Sequence, residues 1–140
     1  MLHLIKLSVG TRDIAGLAAW QAARAVAEPP LRHQTRSRPK RAAEIIDGGS
    51  IYWVIQGVLR VRQRIIDISE DTWDDGTSCA GLVLDPVLVP VAARPTKPFQ
   101  GWRYLDPAAA PPDIAAMAEA SGIDGLPPKL LAELQALCLL

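Results

Sequence analysis

The sequence predicts an α+β fold: a small, curved, mixed or antiparallel sheet with flanking helices. Three observations carry this. Ile51-Tyr52-Trp53-Val54-Ile55 is a continuous apolar run of strand length. From Val58 to Ile66 the chain alternates with period two, the mark of a strand with one apolar face. Segments of helical spacing come before and after the strands, not regularly between them.

The elements follow in order. Leu2 to Leu7 reads as a mostly buried first strand. Thr11 or Asp13 caps a helix in which Ile14, Leu17, Trp20, Gln21 and Arg24 share a face, and Glu28-Pro29-Pro30 stops it. Residues 31–41 are basic and aperiodic, a loop leading into a short helix over Arg41–Ile46. Asp47-Gly48-Gly49-Ser50 is a turn before the apolar strand, and Gln56-Gly57 is a tight link or bulge. In the next strand Leu59, Val61, Gln63 and Ile65 face inward, while Val58, Arg60, Arg62, Arg64 and Ile66 face outward. Ile68 to Ser78 reads as an acidic loop turning at Asp74-Asp75-Gly76. Cys79–Leu84 and Pro86–Ala92 read as two strands, with Pro86 and Pro90 suited to edges. An extended segment runs from Arg94 to Tyr104. Asp113 caps a short helix to about Ala120, and Pro127-Pro128 opens a last amphipathic one.

At 140 residues the chain fits one domain, with a core over 1–106 and a C-terminal helical segment over 111–140. Formal net charge is zero, which argues against coating nucleic acid or an anionic membrane by bulk charge. The charge is segregated along the chain: residues 1–64 carry 11 basic and 4 acidic side chains, and residues 65–140 carry the reverse. Cys79 and Cys138 lie far apart, outside any Cys/His cluster, so neither a disulfide framework nor a zinc site is expected. No apolar run approaches the roughly 18–20 residues of a membrane helix, and the expected compartment is the cytoplasm.

Catalytic signatures are not evident, and nothing calls for a cofactor or metal. The only histidines are His3 and His33. His33 is a candidate acid or base against the alternative of a solvated loop residue. Numbered as a calcium loop, Asp71 onward places Trp73 and Leu82 where ligands belong, so a hairpin tip is favoured. The strongest lead is the arginine face. Arg60, Arg62 and Arg64 are spaced about 6.8 Å apart on a regular strand, near the spacing of successive phosphates. Guanidinium forks suit phosphate. Arg36, Arg38 and Arg41 extend this basic region. The alternative is a solvated face paired with Glu70, Asp71, Asp74 or Asp75. Trp53, Trp102 and Tyr104 are candidates for an aromatic pocket that stacks a base, against the alternative of core packing.

Several stretches resemble a bacterial family catalogued as domain of unknown function 1489: Leu2–Leu7, Ile45–Ile55, Leu82–Pro86, and Pro98-Phe99-Gln100-Gly101-Trp102-Arg103-Tyr104-Leu105. The resemblance extends to Pro111-Pro112-Asp113 and to the Leu-Pro-Pro at 126–128. It implies a bacterial cytoplasmic protein and brings no activity with it. The order of short helix, Gly-Gly turn, strand, glycine link and arginine-bearing strand also resembles a PUA-like or ASCH-type barrel. That second resemblance implies binding of RNA or modified bases.

The expected function is therefore a nucleic-acid- or nucleotide-binding module, with RNA or another nucleic acid as partner. The alternative is a protein-interaction or regulatory module, in which Leu130, Leu131, Leu134, Leu137, Leu139 and Leu140 supply a homodimer seam. A small enzyme acting on a phosphorylated substrate through His33 is a third reading.

Overall fold

A computed structural model describes residues 1–115. The element order is β1 (His3–Leu7), α1 (Ile14–Ala27), β2 (Arg32–Thr35), α2 (Ala42–Ile46), β3 (Ser50–Ile55), β4 (Val58–Thr72), β5 (Ser78–Pro95) and β6 (Trp102–Leu105). A short 3-10 turn follows at Pro107–Ala109. The six strands form one mixed sheet in the order β2-β5-β4-β3-β1-β6, with β1 parallel to β3 and every other pair antiparallel. The fold class is α+β, as the sequence predicts. The sheet is open, so the barrel expectation is corrected: β2 and β6 are its edges.

Local chemistry explains most of the elements. Asp13 caps α1 by accepting from the Gly16 backbone N–H at 2.7 Å. The inward face of α1 is Ile14, Leu17 and Gln21, whereas Trp20 lies 49% exposed and not in the core. All six residues of β3 are buried, as expected of a strand with neighbours on both sides. Gln56 and Gly57 both have positive φ (52° and 77°), the backbone of a tight hairpin between β3 and β4.

Three sequence expectations are corrected here. Residues 68–72 are not loop: β4 continues to Thr72 and pairs with β5 around a tip at 73–77. β5 is one strand of 18 residues, kinked where Asp85–Val87 drop out of the ladder. Its prolines are tolerated because β2 covers it only from Ala80 to Val83. Arg32–Thr35, expected as loop, is that covering strand.

The sheet rolls because its longest hairpin is bulged. Register shifts fall between Leu59 and Val61, Gln63 and Ile65, and Ile65 and Asp67. The first moves Leu59 to the face of Tyr52 and Val54, while Val61, Gln63 and Ile65 stay with Trp53 on the other. After the last shift, Ile68 is again the buried residue. The roll brings β2 back over the core: the His33 and Trp53 rings meet edge to face at 5.2 Å, though β5 and β4 lie between their strands in the sheet.

Both helices pack on the concave face, over a core of Leu4, Leu17, Ile45, Ile51, Trp53, Ile65 and Leu82. A smaller cluster of Tyr52, Val54, Leu59, Val91 and Leu105 on the opposite face is joined by Phe99 and Ala110. No helix among the described residues is long and apolar enough to cross a membrane. The two helices and the leucine seam expected after Asp113, with Cys138, fall outside the described residues apart from Ile114 and Ala115.

One buried polar network ties α1 to the sheet. Gln21 and Gln63 exchange amide hydrogen bonds at 2.8 and 2.7 Å. Gln63 Nε2 also donates to the Asp85 carbonyl at 2.8 Å, and Gln63 Oε1 accepts the Trp53 indole N–H at 3.1 Å. All hydrogen-bonding capacity of the Gln63 amide is used. Gln63→Leu strands the Trp53 N–H, the Gln21 amide and the Asp85 carbonyl. It is expected to cost about 2–4 kcal/mol in urea unfolding. Gln21→Leu strands fewer groups and costs less. The double variant should lose less than the sum of the singles.

Gly49 is equally constrained. A Cβ there would sit 2.1 Å from the Leu2 carbonyl oxygen and 2.3 Å from that of Ile45, both backbone atoms. Gly49→Ala should therefore cost more than about 3 kcal/mol or fail to fold. Gly57→Ala, which meets nothing within 4 Å but keeps a positive φ, should cost only about 1 kcal/mol by thermal melting.

Candidate functional site

Across the rolled face, between β2 on one side and the end of β1 on the other, a cavity of about 380 Å³ opens beside α1. Lys6, Ser8, Thr11, Trp20, His33 and Trp53 line it, with Leu17 as part of its apolar lining. Each residue is placed by a recognisable constraint. Lys6 is next to last in β1, in register with Trp53 of β3 on one side and Trp102 of β6 on the other. Ser8 continues the ladder by donating its N–H to the Val54 carbonyl at 2.8 Å. The Ser8 and Thr11 hydroxyls bond each other at 2.6 Å, bracing the loop that Gly10 turns with φ 86°. Trp20 stands at the solvent side under the Arg24 guanidinium, 5.0 Å above its ring, and Arg24 is itself paired with Glu28.

The electrostatics of the seam are unusual for so small a cavity. His33 Nε2 is buried with no hydrogen-bond partner among the described residues. Burial, reinforced by the positive charges of Lys6 and Arg24, pushes the His33 pKa down to about 4, so the ring is neutral near pH 7. Burial also lowers the Lys6 pKa. The Trp53 N–H is committed to Gln63, which leaves its ring as a packing surface.

The residues singled out from the sequence are distributed differently. Arg60 falls outside both ladders at a register shift, so the regular row through Arg60, Arg62 and Arg64 is broken by the bulge. Arg62 is half-buried in a bidentate pair with Asp113 at 2.7 and 2.8 Å, and bonds Ser50 Oγ at 3.1 Å. Arg64 donates to the Ile46 carbonyl at 3.0 Å. The partner of the arginine face is thus Asp113 and backbone, not the acidic hairpin. The hairpin's Asp71 pairs with Arg32.

Arg36 and Arg38 line a separate groove of about 550 Å³ with Glu70, Asp71 and Cys79, and Arg38 bonds the Ile68 carbonyl at 3.0 Å. Arg41 pairs with Glu44 and lies over the Tyr104 ring at 5.6 Å. Trp102 and Tyr104 meet edge to face at 5.1 Å on the β6 edge. Trp53 shares their face of the sheet, but Lys6 stands between it and Trp102.

Lys6 and Trp20 are legible in the sequence only as a strand stem and a core residue, and His33 as a loop residue. The one available signal is the alternation of Leu31, His33 and Thr35, hidden inside a basic stretch.

Stability should follow His33. Its folded pKa lies below the ordinary value near 6.5, so between about pH 6.5 and 4 the unfolded chain binds a proton that the folded chain refuses. Stability present above pH 6.5 is lost as pH falls, by up to about 1.4 kcal/mol per unit. Urea unfolding at pH 7.5, 6.5, 5.5 and 4.5 should show a steeper loss in the wild type than in His33→Phe. The residual slope belongs to His3, whose pKa burial also lowers. Asp71 and Asp113, held below the usual carboxylate range by Arg32 and Arg62, respond at lower pH.

No curated protein and no solved structure matches the chain. One family model does, over residues 4–140, and it spans nearly all of the sequence. The chain therefore belongs to the family described as proteins of unknown function, DUF1489.

Proposed function

We propose that this chain is a nucleotide-binding module that takes a base, free or at the exposed end of a nucleic-acid strand, into the seam between β1 and β2. The observation that carries the reading is the neutral, partnerless His33 in a cavity walled by Trp20 and Trp53. About 380 Å³ lies within the range of roughly 300–1,000 Å³ typical of small-ligand pockets. The half-exposed Trp20 indole offers a face that stacks on any base with little sequence preference, while the buried Trp53 forms the floor. His33 Nε2 has almost no exposed surface, so a base edge bonds it only once the ring turns toward the cavity. That bond offsets the cost of a buried unpaired polar atom, about 1–3 kcal/mol.

The arginine strand supports this reading less than its spacing implies. Arg62 and Arg64 already hold intramolecular partners, and displacing Asp113 from Arg62 would break a bidentate pair. Arg36, three residues beyond His33, would meet the phosphates of a longer strand, whereas Arg38, like Arg64, already bonds a backbone carbonyl.

Calorimetric titration with the four common nucleosides and with eight-nucleotide RNA and DNA tests the assignment. Trp20→Ala should weaken binding by about 1–3 kcal/mol, the usual worth of one stacked base. The triple change of Arg60, Arg62 and Arg64 to Ala should weaken it less. The opposite ranking would return the site to the arginine strand, and an absence of binding by every probe would remove nucleotides as the ligand class.

A further inference from the structure

We infer that the ligand of the seam carries one anionic group, in the class of the nucleoside 5′-monophosphates, with its phosphate held at Lys6. This rests on reading the seam as a nucleotide pocket, and it deepens that reading by naming which nucleotides fit. Among the described residues, Lys6 is the only charged side chain lining the cavity. No described carboxylate lines it, and Lys6 makes no ion pair or side-chain hydrogen bond to any described residue. The nearest acid in sequence, Asp13, is committed to capping α1. An ammonium taken partly out of water between two tryptophan strand neighbours, without a counter-charge, is unfavourable, and a bound anion supplies what the chain does not.

The rest of the lining fits the same ligand. Ser8 and Thr11 place two hydroxyls near the end of β1, where the loop turns into α1. His33, neutral, adds no second charge at ordinary pH. Arg24 approaches from the far rim over Trp20, but its charge is shared with Glu28. One cation matches one phosphate. The β and γ phosphates of a triphosphate would find no further lysine or arginine in the described lining and would keep their repulsion. A monophosphate is therefore favoured over both the bare nucleoside and the triphosphate.

The test is calorimetric titration of the full chain at fixed salt with adenosine, AMP and ATP, with uridine, UMP and UTP, and with inorganic phosphate. A charge-assisted bond to the phosphate should make the monophosphate bind at least about tenfold more tightly than its nucleoside. The triphosphate should bind no more tightly than the monophosphate. Lys6→Met should bring the monophosphate-to-nucleoside ratio to near one, and Lys6→Arg should restore the ratio. A wild-type ratio near one, a triphosphate that outbinds the monophosphate, or a ratio that survives Lys6→Met would each overturn the inference. Inorganic phosphate binding as tightly as the monophosphate would also overturn it, leaving Lys6 as a site for a free anion. Nucleoside binding with a ratio of one sinks this inference alone, whereas failure of every nucleoside and nucleotide to bind sinks the pocket reading with it.

Discussion

The side chain on which the architecture depends most is Gln63, an uncharged amide buried in the middle of a long strand. A polar group at that depth is tolerated only if every donor and acceptor is met, and here α1, β3 and the β5 kink each supply a partner. The amide therefore holds three elements in one arrangement. It anchors α1 through Gln21, orients the Trp53 indole, and requires Asp85 to leave the ladder so that its carbonyl can turn inward. An apolar residue at this position would leave helix placement to packing alone, which specifies orientation less sharply.

From that anchor the seam follows. The β4–β5 hairpin is long enough to curl and carries enough bulges to do so, bringing β2 back toward β3. It does not join β2 to the other edge strand, β6. α1, held by Gln21 and by Leu17, lies against the gap and leaves a cavity beside it. Two buried side-chain nitrogens among the described residues lack a partner: His33 Nε2, whose ring packs beside the seam, and Arg64 Nε on β4. Sites of local frustration of this kind are where function is usually found.

The opposed charges of the two halves of the sequence meet in space. Arg32 joins Asp71, and Arg62 joins Asp113, each pair linking the basic first half to the acidic second. These two pairs hold segments distant in sequence together, while Arg24–Glu28 and Arg41–Glu44 stay within the first half. Asp113 fastens the chain after the 3-10 turn across the second sheet face, where Ala92 also donates to the Pro112 carbonyl at 2.9 Å. The described arginines do not form one continuous basic row, and the proposed ligand site is therefore the seam and not the arginine strand.

Local physics is legible in the residues themselves. The α1 boundaries follow from Asp13 and Glu28-Pro29-Pro30, the β3 strand from its unbroken apolar run, and the hairpin from Gln56-Gly57. The family is legible too, because the residues that carry it are long contiguous motifs. Whatever depends on partners distant in sequence is not. Period-two alternation cannot be carried past a bulge, so it misassigns the surroundings of Arg60 and Leu59. A basic stretch such as Arg32–Thr35 becomes a strand only because β5 offers it an edge. The choice between phosphate ligand and salt bridge for Arg62 is made by Asp113, 51 residues away. Sequence alone determined which segments form most of the helices and strands, since that depends on near neighbours. The roll of the sheet, and with it the meeting of Lys6, Trp20, His33 and Trp53, was decided by tertiary structure, because bulge geometry and long-range hydrogen bonding set curvature.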